Sequence, residues 1–279
     1  MTRTTNRAGS AGPTDGRGWV DEVVRRTVAA FADQGDATRA EGAERYMKHV
    51  APFLGIDTPE RRRLLRAAWR GLSTPTSDDL GRAAAALMAR REREYHYAAY
   101  DLLAQFIDAA DEQFLRRWVT QLLTTTPWWD TVDGIGTAAV SPLCHRFDSA
   151  ATIDEWSESG DRWLVRAAIQ HQRGWRRSTD VERVLGLCHR HWAEREFFIA
   201  KAIGWALRDI TRLDPDAVLR FLTDHRGSPT SRRYASHDGW FAAPTPQAAD
   251  LFSVPFGWPI DADLLADLVS ARLTELTAE

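Results

Sequence analysis

The chain has 279 residues, of which 44% are hydrophobic and 27% are charged, a composition typical of ordinary soluble globular proteins. Its two cysteines exclude a disulfide framework, and the lack of an apolar run of about 18 residues argues against a transmembrane helix. The net charge of −3 is uneven, because residues 241–279 carry −5 and residues 1–240 carry +2. The body of the chain could therefore bind nucleic acid if its basic residues share one face.

Almost all of the basic residues are arginines, since Lys48 and Lys201 are the only lysines. A GC-rich coding sequence is the simpler explanation of this preference. The alternative is functional, because guanidinium groups form rigid forks that suit phosphate.

Residues 1–18 lack the apolar stretch of a signal peptide and predict a disordered tail, and we expect a cytoplasmic protein. From residue 19 to residue 239 nearly every segment has the apolar periodicity of an amphipathic helix. The predicted helices are 19–32, 40–49, 58–70, 77–90, 94–107, 111–123, 127–143, 154–159, 162–171, 180–188, 196–211 and 215–225. Thr58, Pro59 and Glu60 together predict a capped helix start.

Helix pairs recur about every 35 to 45 residues, which is the spacing of HEAT-type repeats. We therefore predict an all-α fold: a curved solenoid of HEAT-like helical repeats over residues 19–239, which is also called an α-α superhelix. An all-α globule without repeats is the alternative. Residues 240–260 are rich in Pro and aromatic residues and predict an irregular arm, and residues 261–276 predict a closing helix. We expect residues 240–279 to pack on the solenoid.

The segment TPWWDTVD, residues 126–133, is the strongest candidate for chemistry. If Thr126 and Pro127 start a helix, Trp129 and Asp133 lie one turn apart on the same face. An indole and a carboxylate that face the same space suit a cationic substrate. The alternative is a core tryptophan with an acid near a helix N-terminus, and for Asp130 we favour that structural interpretation.

Two further segments combine basic and aromatic residues at helical spacing. The first places Arg162 and Arg166 on one helix face, with Trp163 beside them. The second places Lys201, Trp205 and Arg208 on another helix face. Such groups suit a nucleic-acid backbone with a stacked base or sugar, although each alone is more often a solvated face with a buried tryptophan.

Nine stretches between about residues 22 and 235 carry a likeness to a known family in the same order. They are residues 46–48, 52–56, 58–61, 94–97, 101–103, 126–133, 163–169, 196–210 and 228–233. WWDTVD followed downstream by KAIGWALR is the most specific combination. In these stretches the chain resembles the AlkD-like DNA alkylation repair glycosylases, which are built from HEAT-like repeats.

The resemblance implies excision of cationic N3- or N7-alkylpurines from duplex DNA by a monomer that needs no cofactor. It matches the catalytic carboxylate of the family to Asp133, and the two aromatic residues near the deoxyribose of the lesion to Trp129 and Trp205. The arginine beside the catalytic groups, which contacts the DNA backbone, matches Arg166. In place of a base-flipping pocket, the family is understood to work from the backbone side.

The resemblance also implies DNA contacts away from the carboxylate. Arg208 is similar to a second phosphate contact, and Tyr46 and Lys48 match the first DNA-facing helix pair. We add Lys201 and Arg162 as DNA-binding candidates because of their spacing. The acidic C-terminal arm and the low net charge depart from a typical DNA-binding protein.

Three alternatives compete with this interpretation. Asp130 and Asp133 could act as the paired carboxylates of a sugar hydrolase. Cys188, His189 and His191 could hold a metal, although their spacing fits no known zinc pattern and we predict no metal site. The strongest rival is a non-catalytic helical-repeat protein that binds DNA structures or another protein.

Overall fold

The computed structural model of the protein describes residues 16–225, and within that range the chain is helical without a β-strand. The α-helices are α1 (Gly16–Phe31), α2 (Ala37–Tyr46), α3 (Thr58–Ala68), α4 (Ser77–Met88), α5 (Arg93–Phe106), α6 (Thr120–Thr124), α7 (Trp129–Ile135), α8 (Ser141–Arg146), α9 (Ala150–Glu158), α10 (Arg162–Ile169), α11 (Val181–Arg190), α12 (Phe197–Thr211) and α13 (Pro215–Asp224). The all-α prediction is thus confirmed. The predicted C-terminal arm and closing helix lie outside the described residues.

The helices form a ladder of hairpins in two layers. Helices α5, α7, α10 and α12 pack side by side in one layer, which we call the inner layer. Each inner-layer helix also packs against the α-helix of the other layer closest before it in the chain: α4, α6, α9 and α11. The inner-layer helices begin 33 to 36 residues apart, so each hairpin adds one repeat to the solenoid.

Two predicted helix starts are wrong in detail. Helix α7 begins at Trp129, with Trp128 as its N-cap, and Thr126 lies in the left-handed region with φ of 42°. Pro127 is therefore an approach residue and does not open the helix. In α3 the capping side chain is Asp57, which accepts the backbone N–H of Glu60, and Thr58 is already helical. Serine, threonine and aspartate are all good caps, so sequence alone does not choose between neighbours.

Two helical segments contain a π-helical turn, at Leu115–Val119 before α6 and at Gly136–Val140 after α7. The second one joins α7 to α8 without a break in the helical backbone. A π-turn widens the helix, and such turns are frequent at functional sites. Here the second π-helical turn begins three residues after Asp133.

A buried carboxylate fixes the loop before α3. The Glu94 side chain is fully buried and accepts the backbone N–H groups of Leu54, Gly55 and Ile56. Gly55 has φ of +84°, and a Cβ there would lie 2.1 Å from the Asp36 carbonyl oxygen, so only glycine fits. Burial raises the pKa of Glu94, and its hydrogen bonds to the backbone oppose that shift.

No helix within residues 16–225 is both long and apolar enough to cross a membrane.

A buried histidine should make folding sensitive to pH. His171 Nδ1 lies 2.8 Å from the Ala168 carbonyl oxygen, which can only accept, so the neutral ring carries its proton on Nδ1. Burial lowers the pKa of His171 to about 4. The unfolded chain, with a histidine pKa of about 6.5, therefore takes up the proton first as the pH falls. The contribution of His171 to stability is complete above about pH 6.5 and is lost between about pH 6.5 and pH 4, by about 3 kcal/mol at most.

We expect urea unfolding at pH 7.5 and pH 5.0 to show a larger loss of stability in the wild type than in His171→Gln. The comparison cancels the contributions of the carboxylates and of the other histidines. Equal losses in the two proteins would contradict a neutral, buried His171.

Candidate active site

Helix α7 carries the candidate carboxylate and lies unusually close to α5. At Gly134 a Cβ atom would lie 2.5 Å from the Tyr100 ring, so a larger residue would push the two helices apart. This contact sets the position of α7 relative to α5, and with it the position of Asp133. Nothing in the local sequence around Gly134 indicates this close approach.

Asp133 is joined to Arg166 by a bidentate ion pair. The Arg166 Nε and Nη2 atoms each donate to one Asp133 carboxylate oxygen at 2.8 Å. Asp133 is 9% exposed and Arg166 is 2% exposed. Arg166 Nη1 also donates to the Phe198 carbonyl oxygen at 2.7 Å, so one guanidinium group links α7, α10 and α12. The resemblance matched Arg166 to an arginine beside the catalytic groups that also contacts the DNA backbone, and the structure places Arg166 against the carboxylate.

Trp205 lies on α12 between two arginines. The Cζ atoms of Arg166 and Arg173 are 5.0 Å and 4.9 Å from the centre of its ring. Both distances are within cation–π range. Lys201, one turn before Trp205, is half-buried, and its burial and the charge of Arg166 lower its pKa. The structure thus brings Asp133, Arg166, Trp205 and Lys201 into one neighbourhood.

Trp129 is contacted by Tyr46, a residue from the N-terminal part of the chain. The Tyr46 ring packs edge-on against the Trp129 ring with 6.3 Å between their centres. Burial, together with the charge of Asp130, raises the pKa of Tyr46. Lys48 follows Tyr46 in the chain, is exposed, and has a left-handed backbone with φ of 59°. The structure therefore places Tyr46, at the end of α2, against Trp129 at the start of α7.

Arg162 and Arg208 lie at the edges of this region. Arg162 is exposed at the start of α10, where it pairs with Glu196 at 3.4 Å. Although Arg162 and Arg166 are one turn apart, only Arg166 is buried. Arg208 is half-buried on α12, and its closest carboxylate is that of Asp209 at 3.9 Å. Burial lowers the pKa of Arg208, and the charges of Arg173 and Arg212 add to that shift.

Asp130 has a different set of partners from Asp133. Its carboxylate receives hydrogen bonds from Arg93 at 2.6 and 2.9 Å and from the Tyr97 hydroxyl at 2.6 Å. All three residues are buried. The burial of Tyr97 and the neighbouring charge of Asp130 raise the pKa of Tyr97 well above its usual value. Each aspartate is therefore bound to its own arginine, and the two carboxylates have separate sets of partners.

Two site residues escaped the sequence interpretation. Gln170 and Arg173 line a small cleft together with Asp133 and Gly136. The Gln170 amide nitrogen lies 3.5 Å from an Asp133 oxygen, and its carbonyl oxygen accepts from Arg173 at 3.3 Å. Gln170 lies four residues after Arg166, a helical spacing that would have placed it on the same face, whereas Arg173 follows the end of α10 at Ile169.

Cys188, His189 and His191, the residues of the alternative metal site, do not come together as a set of ligands. Cys188 is fully buried, His189 faces His225 at 2.7 Å, and His191 lies between Ser157 and Glu194. The three side chains therefore have separate partners. Within residues 16–225 no group of three or more His, Cys, Asp or Glu side chains is arranged to hold a metal ion.

The chain is thus a helical-repeat protein, an all-helical solenoid with a carboxylate, indoles and guanidinium groups gathered on its inner layer. The family model described as “DNA alkylation repair enzyme” matches residues 27–238, and the chain belongs to this family. It is also similar to a solved structure described as a predicted DNA alkylation repair enzyme from Enterococcus faecalis. That structure is 25% identical with a TM-score of 0.62, and the match covers 75% of this chain and 98% of the other. No curated protein sequence matches the chain. Family membership supports a role in DNA alkylation repair.

The contacts of Asp130 predict a large structural effect of its loss. Asp130→Asn removes the charge that compensates the buried Arg93, and breaking a buried ion pair in this way typically costs about 3–5 kcal/mol. An acid that merely favours a helix start would contribute about 1 kcal/mol or less. Thermal and urea unfolding would measure the difference. Asp154→Asn is the control, because its ion pairs with Arg183 and Arg190 are at the surface and should contribute less than about 1 kcal/mol. Equal effects of the two substitutions would contradict a structural role for the Asp130 pair.

Proposed function

We propose that the protein is a DNA glycosylase that excises cationic N3- and N7-alkylpurines from duplex DNA by hydrolysis of the N-glycosyl bond. The main support is the buried Asp133 carboxylate, which Arg166 orients by two hydrogen bonds beside the cleft. Family membership and the neighbouring indoles of Trp129 and Trp205 add to that support. In this proposal the protein acts as a monomer on double-stranded DNA without a cofactor or metal.

The substrate provides part of the driving force. An N-alkylated purine already carries a positive charge, so its glycosidic bond is weakened and the leaving base needs no general acid. Charge then develops on the sugar, as a cation that must be stabilised until water captures it. A preorganised carboxylate is well suited to this task, because it requires no reorganisation when the charge forms.

The cleft beside Asp133 has a place for the second reactant. The cleft is small, with room for about one water molecule. Such a water would lie among the polar groups of Asp133, Gln170 and Arg173. In the proposed reaction Asp133 orients this water toward the sugar and accepts its proton, while the base leaves with the bonding electrons.

Arg166 has two consequences for this chemistry. Its charge offsets that of Asp133, so the carboxylate stabilises a sugar cation less than an isolated carboxylate would. Its two hydrogen bonds, however, fix the carboxylate in one orientation. A guanidinium group has five N–H donors, and three of those of Arg166 bond within the protein.

Asp133→Asn tests the carboxylate directly. It removes the charge but preserves the shape, and we expect single-turnover excision from methylated duplex DNA to fall about 100- to 1,000-fold. DNA affinity should be unchanged or slightly higher, because the lost carboxylate also repelled phosphate.

Asp130→Asn is the matched control, since it changes a buried aspartate that is likewise paired with an arginine, one turn upstream. Assayed at a temperature at which it is folded, Asp130→Asn should retain most of its excision rate. An active Asp133→Asn with an inactive, folded Asp130→Asn would move the catalytic role upstream. A wild type that binds DNA but releases no base would instead favour the non-catalytic DNA-structure binder, an alternative consistent with the neutralisation of Asp133 by Arg166.

The mechanism also predicts chemical selectivity. Because the proposed site stabilises a sugar cation and supplies no acid to the leaving base, it should release 7-methylguanine or 3-methyladenine and spare uracil. Release of free bases from duplexes that contain a single lesion would measure this. Efficient uracil release would mean that another group protonates the leaving base, and addition of a chelator should change neither result.

A further inference from the structure

Gly136 is a glycine that neither its backbone conformation nor its surroundings within residues 16–225 require. Its φ of −52° is ordinary for a helix, and a Cβ atom there would meet no atom of the surrounding structure within 4 Å. At Gly134, by contrast, a Cβ would lie only 2.5 Å from the Tyr100 ring. Glycine inside a helix is less stable than alanine, and the helical backbone continues through Gly136 into the π-helical turn. The stability given up at Gly136 therefore points to a use for the empty space beside it.

This empty space belongs to the cleft beside Asp133. Gly136 lines the cleft together with the buried apolar side chains of Val132 and Ala167 and the polar side chains of Asp133 and Gln170. The cleft has room for about one water molecule. Because Gly136 is part of its lining, a methyl group added there would take up part of that room.

Two polar neighbours set the orientation of the Gln170 side-chain amide. Its carbonyl oxygen accepts a hydrogen bond from Arg173 Nη1 at 3.3 Å, and its nitrogen lies 3.5 Å from an Asp133 carboxylate oxygen. The NH₂ group therefore faces the carboxylate. It has two N–H donors, so it can donate to Asp133 and to a water molecule at the same time. A water in the cleft could thus donate one proton to the carboxylate and accept a hydrogen bond from Gln170.

We propose that Gly136 and Gln170 make this cleft the binding site of the attacking water and restrict the nucleophile to water. The inference rests on the proposed function, because it takes base excision as the reaction. A water that donates to Asp133 and accepts from Gln170 has one lone pair left to attack the sugar. That lone pair forms the C1′–O bond, the electrons of the C1′–N bond leave with the base, which becomes neutral, and the water proton passes to Asp133. Gly136 keeps the cleft open for water, and the Gln170 side chain keeps it too small for an alcohol.

Gly136→Ala tests the open space. For a duplex that contains a single 7-methylguanine, single-turnover excision should fall about 10- to 100-fold, because the methyl group displaces the water from its position. The melting temperature should rise by about 1–4 °C, since alanine is the better helix residue, and DNA affinity should stay unchanged. Gly186→Ala in α11 is the matched control, because it adds a methyl group at a helical glycine that also has open space around it. It should raise the melting temperature by a similar amount without slowing excision.

Reaction in aqueous methanol tests the choice of nucleophile. Attack by methanol leaves a methyl glycoside in place of the abasic sugar, and mass spectrometry of the DNA distinguishes the two products. We expect the wild type to form a much smaller fraction of methyl glycoside than the uncatalysed depurination of the same duplex. Gln170→Ala enlarges the cleft and should raise that fraction toward the uncatalysed one. Gln170→Met fills a similar space without N–H donors, so it should slow excision about tenfold and keep the preference for water. Melting temperatures identify any variant that is unfolded.

The outcomes are distinguishable. A wild type that releases no base would overturn the proposed function together with the water site. An active wild type with an equally active, folded Gly136→Ala would overturn the water site alone. A loss of DNA affinity that accounts for the slower excision by Gly136→Ala would also overturn it, because the glycine would then serve the approach of the DNA. Equal fractions of methyl glycoside from the wild type and from uncatalysed depurination would overturn the restriction to water.

Discussion

Buried arginine–aspartate pairs join successive helices along the inner side of the described chain. Arg61 pairs with Asp101 between α3 and α5, and Arg93 pairs with Asp130 between α5 and α7. The Asp133–Arg166 pair continues the series between α7 and α10. Each arginine is 1–2% exposed, so its charge is shielded from water and lies against the partner carboxylate. The rest of the inner layer, including the candidate site, depends on these pairs for its register.

Such pairs are not the most effective way to stabilise a repeat interface. Two charges lose their hydration on burial, and a well-packed apolar pair of similar size is often as stable or more so. Their advantage here is directional, because a bidentate pair holds two helices at one rotation and one height. Apolar packing tolerates small shifts, whereas a carboxylate with two 2.8 Å hydrogen bonds does not. In the third pair the same constraint positions the group that we propose does the chemistry.

Much of the fold could be predicted from the sequence, since amphipathic periodicity and helix caps are local. The helices occur where the pattern placed them, within a few residues. The site could be predicted only in part. Trp129 and Asp133 share a face because of their spacing, but Arg93 and Arg166 find their aspartates 33 to 37 residues away, and no local pattern encodes such a pairing. Gln170 lies at helical spacing from Arg166, but that spacing does not show which residues lie opposite it across the repeat interface, and its importance depends on them.

The guanidinium group of Arg166 joins three consecutive inner-layer helices, since it holds the Asp133 carboxylate on α7 and the Phe198 carbonyl on α12 from its own place on α10. A solenoid responds to a bound ligand by small rotations between repeats, because each repeat contacts only its neighbours. Any bend across these repeats must therefore change the length or angle of the hydrogen bonds made by Arg166. The carboxylate is in this sense mechanically coupled to the curvature of the scaffold. A rigid duplex that fits the solenoid would leave the hydrogen bonds of Arg166 unchanged. A duplex that forces the solenoid to bend would change the orientation of the Asp133 carboxylate.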